Sequence, residues 1–303
     1  MHCDESGLNK MLSTSKTPAR LTCRICVSSS LMLHMLVNEE TLDRCTECGF
    51  VQVRDEPSEE TLRGIYSTTY FAHAKYRDRR ALELEHQRRL MLLSKYVSSN
   101  ASVLDAGCSV GDFITSAKTN YQMYGIDIAE SAITQAQEYN PELRERLITG
   151  RLEDSVFANQ RFDAICLWDV IEHLWDPSAV ARDLLQRLKP GGYLFISTPA
   201  IDAPVAKVLG KYWAFMTPPE HLSFFSKNSF YELFDNQTEA HIVSFARKGK
   251  WANLAFIGYK LGRIAPTWVP KALFALFKLP IINRLNLYVP TGDVQYLVIQ
   301  RQF

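Results

Sequence analysis

The sequence predicts an α/β protein in which a mostly parallel sheet is covered by helices on both faces and preceded by a small metal-bound module. Three observations predict it. Two cysteine pairs stand near the start of the chain. Beyond residue 100, short β-rich runs alternate with helical stretches, the pattern of parallel strands joined by crossover helices. With 303 residues, 47% apolar and 22% charged, the chain has material for one large domain and an appendage.

The first segment, residues 1–20, is polar, has no apolar run of the secretory kind and reads as a flexible N-terminus. No apolar run reaches the roughly 18 to 20 residues a membrane helix needs. A cytoplasmic setting is therefore expected, where thiols stay reduced. Under that expectation paired cysteines point to a metal. Cys23, Cys26, Cys45 and Cys48 follow C-x2-C-x18-C-x2-C, two knuckles that close a tetrahedral thiolate shell. A closed shell is structural, and the expectation is a Zn2+ ribbon over 21–53, with iron in the same cage as the alternative. Gly49 suits the second knuckle's turn. Cys3, Cys108 and Cys166 are left without an assigned role.

Residues 54–100 read as a helical connector or lid. Pro57 and Ser58 open a helix that leads to the aromatics Tyr66, Tyr70 and Phe71, either packing residues or a cover over a substrate. The stretch "DRRALELEHQRRLMLLSKYV" follows as an amphipathic helix, with Leu82, Leu84, Leu90, Leu92, Leu93 and Tyr96 on its apolar side.

From residue 101 a strand ends at Asp105, and a loop bearing Gly107 and Gly111 leads into a helix near Asp112. Glycines there let backbone approach a ligand at the carboxyl end of a strand. A second strand ends at Asp127, where a carboxylate is placed to accept ribose hydroxyls. "LITGRLED" and a buried strand "RFDAICLW" follow, then a helix capped by Asp176 with Pro177 at its first position. That helix stops at "LKPGG", and "GYLFIST" is one more strand.

The run of "VLDAGCSVG", "YGIDIAESAI", "GRLED", "FDAICLWDVIEHLWDP" and "LKPGGYLFISTP" resembles, over about residues 85–303, a class I S-adenosylmethionine-dependent methyltransferase of the bacterial small-molecule and sugar-pathway type that carries an N-terminal zinc ribbon. The resemblance implies a Rossmann-like sheet whose last strand is antiparallel. It implies that Gly107 and Gly111 lie against the methionine part of the cofactor and Asp105 near its amino group. Asp127 would hold the ribose, Leu152 and Glu153 would flank the adenine, and Trp168 joins the cofactor set. The family's middle loop glycine is missing here, where Cys108-Ser109-Val110 separates the outer two.

Asp169, Glu172 and His173 then fall beside the methyl group, with spacing that one helical turn would bring to one face. Three readings stay open. His173 serves as general base, oriented by either acid; or the three bind a divalent cation such as Mg2+, joined by the later His221, a pattern some relatives use; or the motif is a helix-start scaffold.

Residues 250–287 are basic and apolar and read as an amphipathic insertion, folding as a lid or dimer contact or lying on a membrane surface. A net charge of +1 gives no electrostatic reason to expect nucleic acid. The expected function is methylation of a small-molecule hydroxyl (sugar, polyketide or other secondary metabolite) by a monomer or homodimer. The alternatives are an RNA methyltransferase gripping its substrate through the ribbon, a deoxysugar C-methyltransferase, and a non-catalytic cofactor-binding module.

Overall fold

A computed structural model describes residues 22–65, 79–152, 154–157, 159–235, 239–254, 257–258 and 286–302. In chain order the elements begin with β1 (Leu31–Val37), β2 (Glu40–Cys45), β3 (Val51–Val53), α1 (Glu59–Ile65) and α2 (Arg79–Leu93). The cofactor half follows with β4 (Ser102–Ala106), α3 (Asp112–Ala117), β5 (Gln122–Asp127), α4 (Glu130–Tyr139) and β6 (Leu147–Thr149). The second half holds β7 (Phe162–Trp168), α5 (Pro177–Arg187), β8 (Leu188–Pro199), α6 (Pro204–Leu209), β9 (Ser223–Phe224), α7 (Lys227–Phe234), β10 (Ala240–Asn253) and β11 (Asn286–Arg301).

Seven strands form one sheet in the order β10-β11-β8-β7-β4-β5-β6. The pairs β4–β5, β4–β7, β5–β6 and β7–β8 are parallel, and β11 runs antiparallel to both β8 and β10. The Rossmann-like expectation, with its last strand reversed, is therefore met. β4 is buried throughout and β7 almost so, as strands covered on both faces must be. The chain moves one way across the sheet from β4 to β6 and the other way from β7 to β8. The crevice at that reversal, outside the carboxyl ends of β4 and β7, is where open α/β sheets hold ligands.

Local chemistry sets the helix starts. Asp176 accepts the Ala179 N–H at 3.1 Å ahead of Pro177, and Ser226 with Ser229 forms a reciprocal cap on α7.

The N-terminal module is not self-contained. β1, β2 and β3 make a sheet whose fourth strand is β9, contributed some 170 residues later through Val51↔Phe224 and Gln52↔Ser223. Cys23, Cys45, Cys48 and Phe50 belong to the same apolar core as Leu104, Leu184, Phe225 and Phe230. The Phe50 and Phe225 rings lie 5.0 Å apart. Burial of this joint surface holds the module in place.

The 250–287 segment differs from its sequence reading at both ends. Residues 250–253 continue β10 and pair with 286–289 of β11, through Trp251↔Tyr288 and Ala252↔Leu287. The alternating strand register there was masked by the apolar composition that suggested a helix. Residues 259–285, together with Tyr66, Tyr70 and Phe71, lie outside the described residues.

Candidate functional site

At the sheet's crevice the backbone bends where side chains would obstruct it. Gly107 has φ 84° and its N–H donates to the Ile126 carbonyl at 2.8 Å. A Cβ there would stand 2.5 Å from Val170 Cγ2, so only glycine fits. Gly111, at φ 79°, precedes α3. Asp127 ties the two loops together: Oδ2 accepts the Ser109 N–H at 2.8 Å and Oδ1 the Ala129 N–H at 2.9 Å. Burial raises its carboxyl above the ordinary range.

Asp105 sits at the end of β4. Burial pushes its carboxyl up to about 7, against the opposing pull of Arg89. Asp105, Gly107, Asp127, Leu152, Trp168, Asp169 and His173 all line one cavity of about 550 Å³. Glu153 lies outside the described residues.

α2 forms the opposite wall, and here the sequence reading is corrected. The helix buries Glu85, His86 and Arg89 with Leu93, whereas most of its leucines are half-buried. Leu82, His86, Arg89 and Leu93 recur at 4-3-4 spacing, a helical stripe whose polar middle faces the cavity. That spacing is the signal in the sequence, hidden because two of its four positions are charged or polar.

His86 is 7% exposed, and burial beside the Arg89 guanidinium lowers it to about 3, a neutral imidazole. Among the described residues neither of its ring nitrogens has a hydrogen-bond partner, nor do Ser109 Oγ and Arg89 Nε. Buried polar atoms of a folded protein are nearly always satisfied. Orphans of this kind on a cavity wall fit a polar ligand such as an amino-acid-bearing nucleoside.

The "WDVIEH" stretch does not form the helical turn expected of it. Asp169 adopts φ 57° at the end of β7, and a 3-10 turn spans Ile171–His173. Asp169 diverges from the other two. Asp169 Oδ2 accepts from Arg89 Nη2 at 2.8 Å with Lys250 Nζ 3.8 Å away, and Oδ1 accepts from Ser197 Oγ at 3.1 Å. Glu172, 2% exposed, turns inward and accepts from Thr198 Oγ1 at 2.8 Å.

His173 meets His221 instead of Asp169. Their rings are 4.8 Å apart and near-perpendicular, and ligand atoms of Glu172, His173 and His221 lie within 4.8 Å of one another. His173 Nδ1 is 2.9 Å from the Glu220 carbonyl and His221 Nδ1 2.8 Å from the Phe215 carbonyl. A carbonyl only accepts, so each Nδ1 carries a proton.

The four N-terminal cysteines also converge, with Cys23–Cys48 at 3.6 Å and Cys26–Cys45 at 3.5 Å. A tetrahedral zinc with Zn–S bonds of about 2.3 Å needs sulfur–sulfur edges of ~3.8 Å, so the cage is the right size. The hydrogen bond between Cys23 and Cys48 lowers the Cys23 thiol to about 5.

Comparison with known proteins bears on the family and the fold. The methyltransferase-domain family matches residues 73–237, just over half of the chain. The chain is 33% identical over 101 residues to the ubiquinone biosynthesis O-methyltransferase of Leptothrix cholodnii, covering 32% of this chain and 43% of that protein. To the mitochondrial ubiquinone biosynthesis O-methyltransferase of Candida albicans it is 32% identical over 113 residues, 33% of each. The chain spans between a third and about half the length of the first curated relatives it matches. Magnesium protoporphyrin IX methyltransferase from Synechocystis, solved with bound S-adenosylhomocysteine, shares the fold at 14% identity and a TM-score of 0.52, covering 81% of this chain and 100% of that one. A sheet of this order with its last strand reversed, a glycine loop ending at an acidic second strand, and the family match together place the chain among the class I S-adenosylmethionine-dependent methyltransferases.

Proposed function

We propose that the chain methylates a hydroxyl oxygen of a small molecule, with the Glu172–His173–His221 cluster as its reaction centre. The observation that carries this reading is the convergence of two imidazoles and a buried carboxylate, of which His173 lines the cavity, with each Nδ1 held by a backbone carbonyl. The ubiquinone-biosynthesis relatives are named as O-methyltransferases, which supports oxygen as the acceptor atom.

In this reading Asp127 and the glycine loop hold the nucleoside, and Asp105 faces the amino group of its methionine part. Leu174, Trp175, Leu222 and Trp251 supply apolar walls around the acceptor and exclude water. His173 lines the cavity and is placed to take the hydroxyl proton at Nε2. Lys250, near Asp169, stabilises an oxygen that is becoming negative.

A second reading has its own support, since the three side chains also fit a divalent cation. Each histidine's other nitrogen is oriented by a carbonyl, the outer-shell arrangement of metal-bound imidazoles. Two imidazoles with one carboxylate suit a transition metal better than Mg2+, which prefers oxygen ligands. Asp169, held by Arg89, is not part of that set. A bound cation would lower the pKa of a coordinated hydroxyl. The thiolate cage is proposed to hold a structural zinc.

The test is methyl transfer from labelled S-adenosylmethionine to a panel of sugars, catechols and polyketides. Wild type and His173→Ala are compared with and without chelator, and zinc content is followed. We expect a loss on the order of 10²-fold or more in His173→Ala. Full activity in that variant would remove the cluster from the chemistry. Loss on chelation with the thiolate zinc retained, restored by a transition metal, selects the cation reading over the base.

A further inference from the structure

Arg24 lies inside the first cysteine knuckle, between Cys23 and Cys26, yet its side chain leaves the module. It is 4% exposed. Nη1 donates to the Trp175 carbonyl at 2.9 Å, and Nη2 donates to the Leu222 carbonyl at 2.8 Å and the Val53 carbonyl at 3.2 Å. The guanidinium carbon stands 4.0 Å from the centre of the Trp175 ring. The Arg24 backbone is fixed as well: its N–H donates to Gln52 Oε1 at 3.0 Å, and its carbonyl accepts from Ser178 Oγ at 2.6 Å.

Those contacts fall on two particular segments. Trp175 follows His173 by two residues, and Leu222 directly follows His221. The segments touch each other through Leu222 N–H to the Glu172 carbonyl at 2.8 Å and Ser223 Oγ to the Leu174 carbonyl at 2.9 Å. One planar cation thus holds a carbonyl from each histidine-bearing segment while its own backbone is anchored in the metal knuckle. A guanidinium can do this because its donors diverge in a rigid plane; an ammonium is a point charge without that fork.

We propose that Arg24 is a positioning residue: it clamps residues 174–175 to residue 222 so that His173 and His221 meet edge to face, and this makes the N-terminal module part of the reaction centre. The proposal rests on reading that histidine pair as the reaction centre. It goes further in assigning the pair's geometry to a residue outside the catalytic fold. Metal binding at the thiolates and placement of the two imidazoles are linked through one side chain.

The experiment uses the full chain, zinc-loaded and labelled with 15N-histidine. Side-chain 1H–15N spectra report the tautomer and environment of each ring, with assignments from single histidine substitutions. Wild type is expected to show His173 and His221 as fixed Nδ1-protonated rings. In Arg24→Gln, with full zinc content and unchanged affinity for S-adenosylhomocysteine, both signals should shift or broaden while that of His86 stays in place. On whichever acceptor of the panel turns over, kcat should fall on the order of 10- to 100-fold, the cost of an ångström-scale misplacement, with KM for S-adenosylmethionine unchanged.

Arg24→Lys keeps the charge but loses the fork. It should show the same displacement, and it decides the matter if the glutamine variant does not hold zinc. Wild-type histidine signals in a folded, zinc-loaded variant would overturn the clamp. The reading beneath it fails differently: His173→Ala would keep full methyl transfer while the Arg24 variants still displaced the His221 signal.

Discussion

Asp105 and His86 face the same cavity and are perturbed in opposite directions by the same cause. Burial raises Asp105 from 3.8 to about 7 and lowers His86 from 6.5 to about 3. For Asp105 the folded state holds the proton more tightly than the unfolded chain. Its contribution to stability therefore falls as pH rises from about 4 to about 7. For His86 the unfolded chain binds the proton first, so stability rises with pH from about 3 to about 6.5. Each slope approaches about 1.4 kcal/mol per pH unit within its window, and the two oppose each other where the windows overlap. In cofactor-free protein, relative to wild type, Asp105→Asn should gain melting temperature as pH rises from 4 to 6.5, and His86→Gln should lose it. Thermal melts across that range check this; slopes of the same sign in both variants would refute the pairing.

Individual residues differed in how far the sequence revealed them. Gly107 and Asp127 were legible because their positions, a loop after one strand and the end of the next, follow from local patterning. His86, Arg89 and Arg24 were not, since a charged residue in a polar stretch usually faces water. Only the packing of α2 and the module against the sheet turns them inward. Asp169 was misplaced for a related reason. Its spacing to His173 suits a helix, but Arg89 and Ser197 pull it aside at a left-handed backbone position.

At the level of elements, the parallel strands were visible as continuous apolar runs, and α5 by its Asp-Pro start. β9 was invisible: two residues carry no period, and their partner strand lies far away in sequence. That pairing alters what metal loss should do. Cys45 and Cys48 sit in one core with Phe225 and Phe230, so Cys45→Ser should abolish zinc binding and lower stability of the whole chain in a single transition. The loss should reach several kcal/mol, given that structural zinc contributes about 10 kcal/mol or more in isolated modules. Calorimetry with metal analysis tests this; a separate low-temperature transition would mean the module melts alone.

Across the whole molecule, charge is almost balanced, with 34 basic and 33 acidic residues. No helix among the described residues is long and apolar enough to cross a membrane. A small-molecule acceptor should then react with little sensitivity to ionic strength, changing by less than about threefold between 50 and 200 mM salt. An RNA bound through 6 to 10 phosphates would lose on the order of 10³-fold or more over that range. Initial rates on the acceptor identified above separate the two.

The strand shared between β3 and β9 also bears on biosynthesis. As the chain leaves the ribosome, the thiolate cage is complete by residue 48, but its sheet lacks an edge until residues 223–224 emerge, after both halves of the nucleotide-binding crevice have been made. Early metal capture would preserve the hairpin without docking it. A chain stalled or cleaved before residue 223 would carry the cysteine cage with an unpaired edge strand, open to pairing with other chains. Splitting the protein at residue 53 would expose matching edges on both pieces, so the two fragments should recombine when mixed.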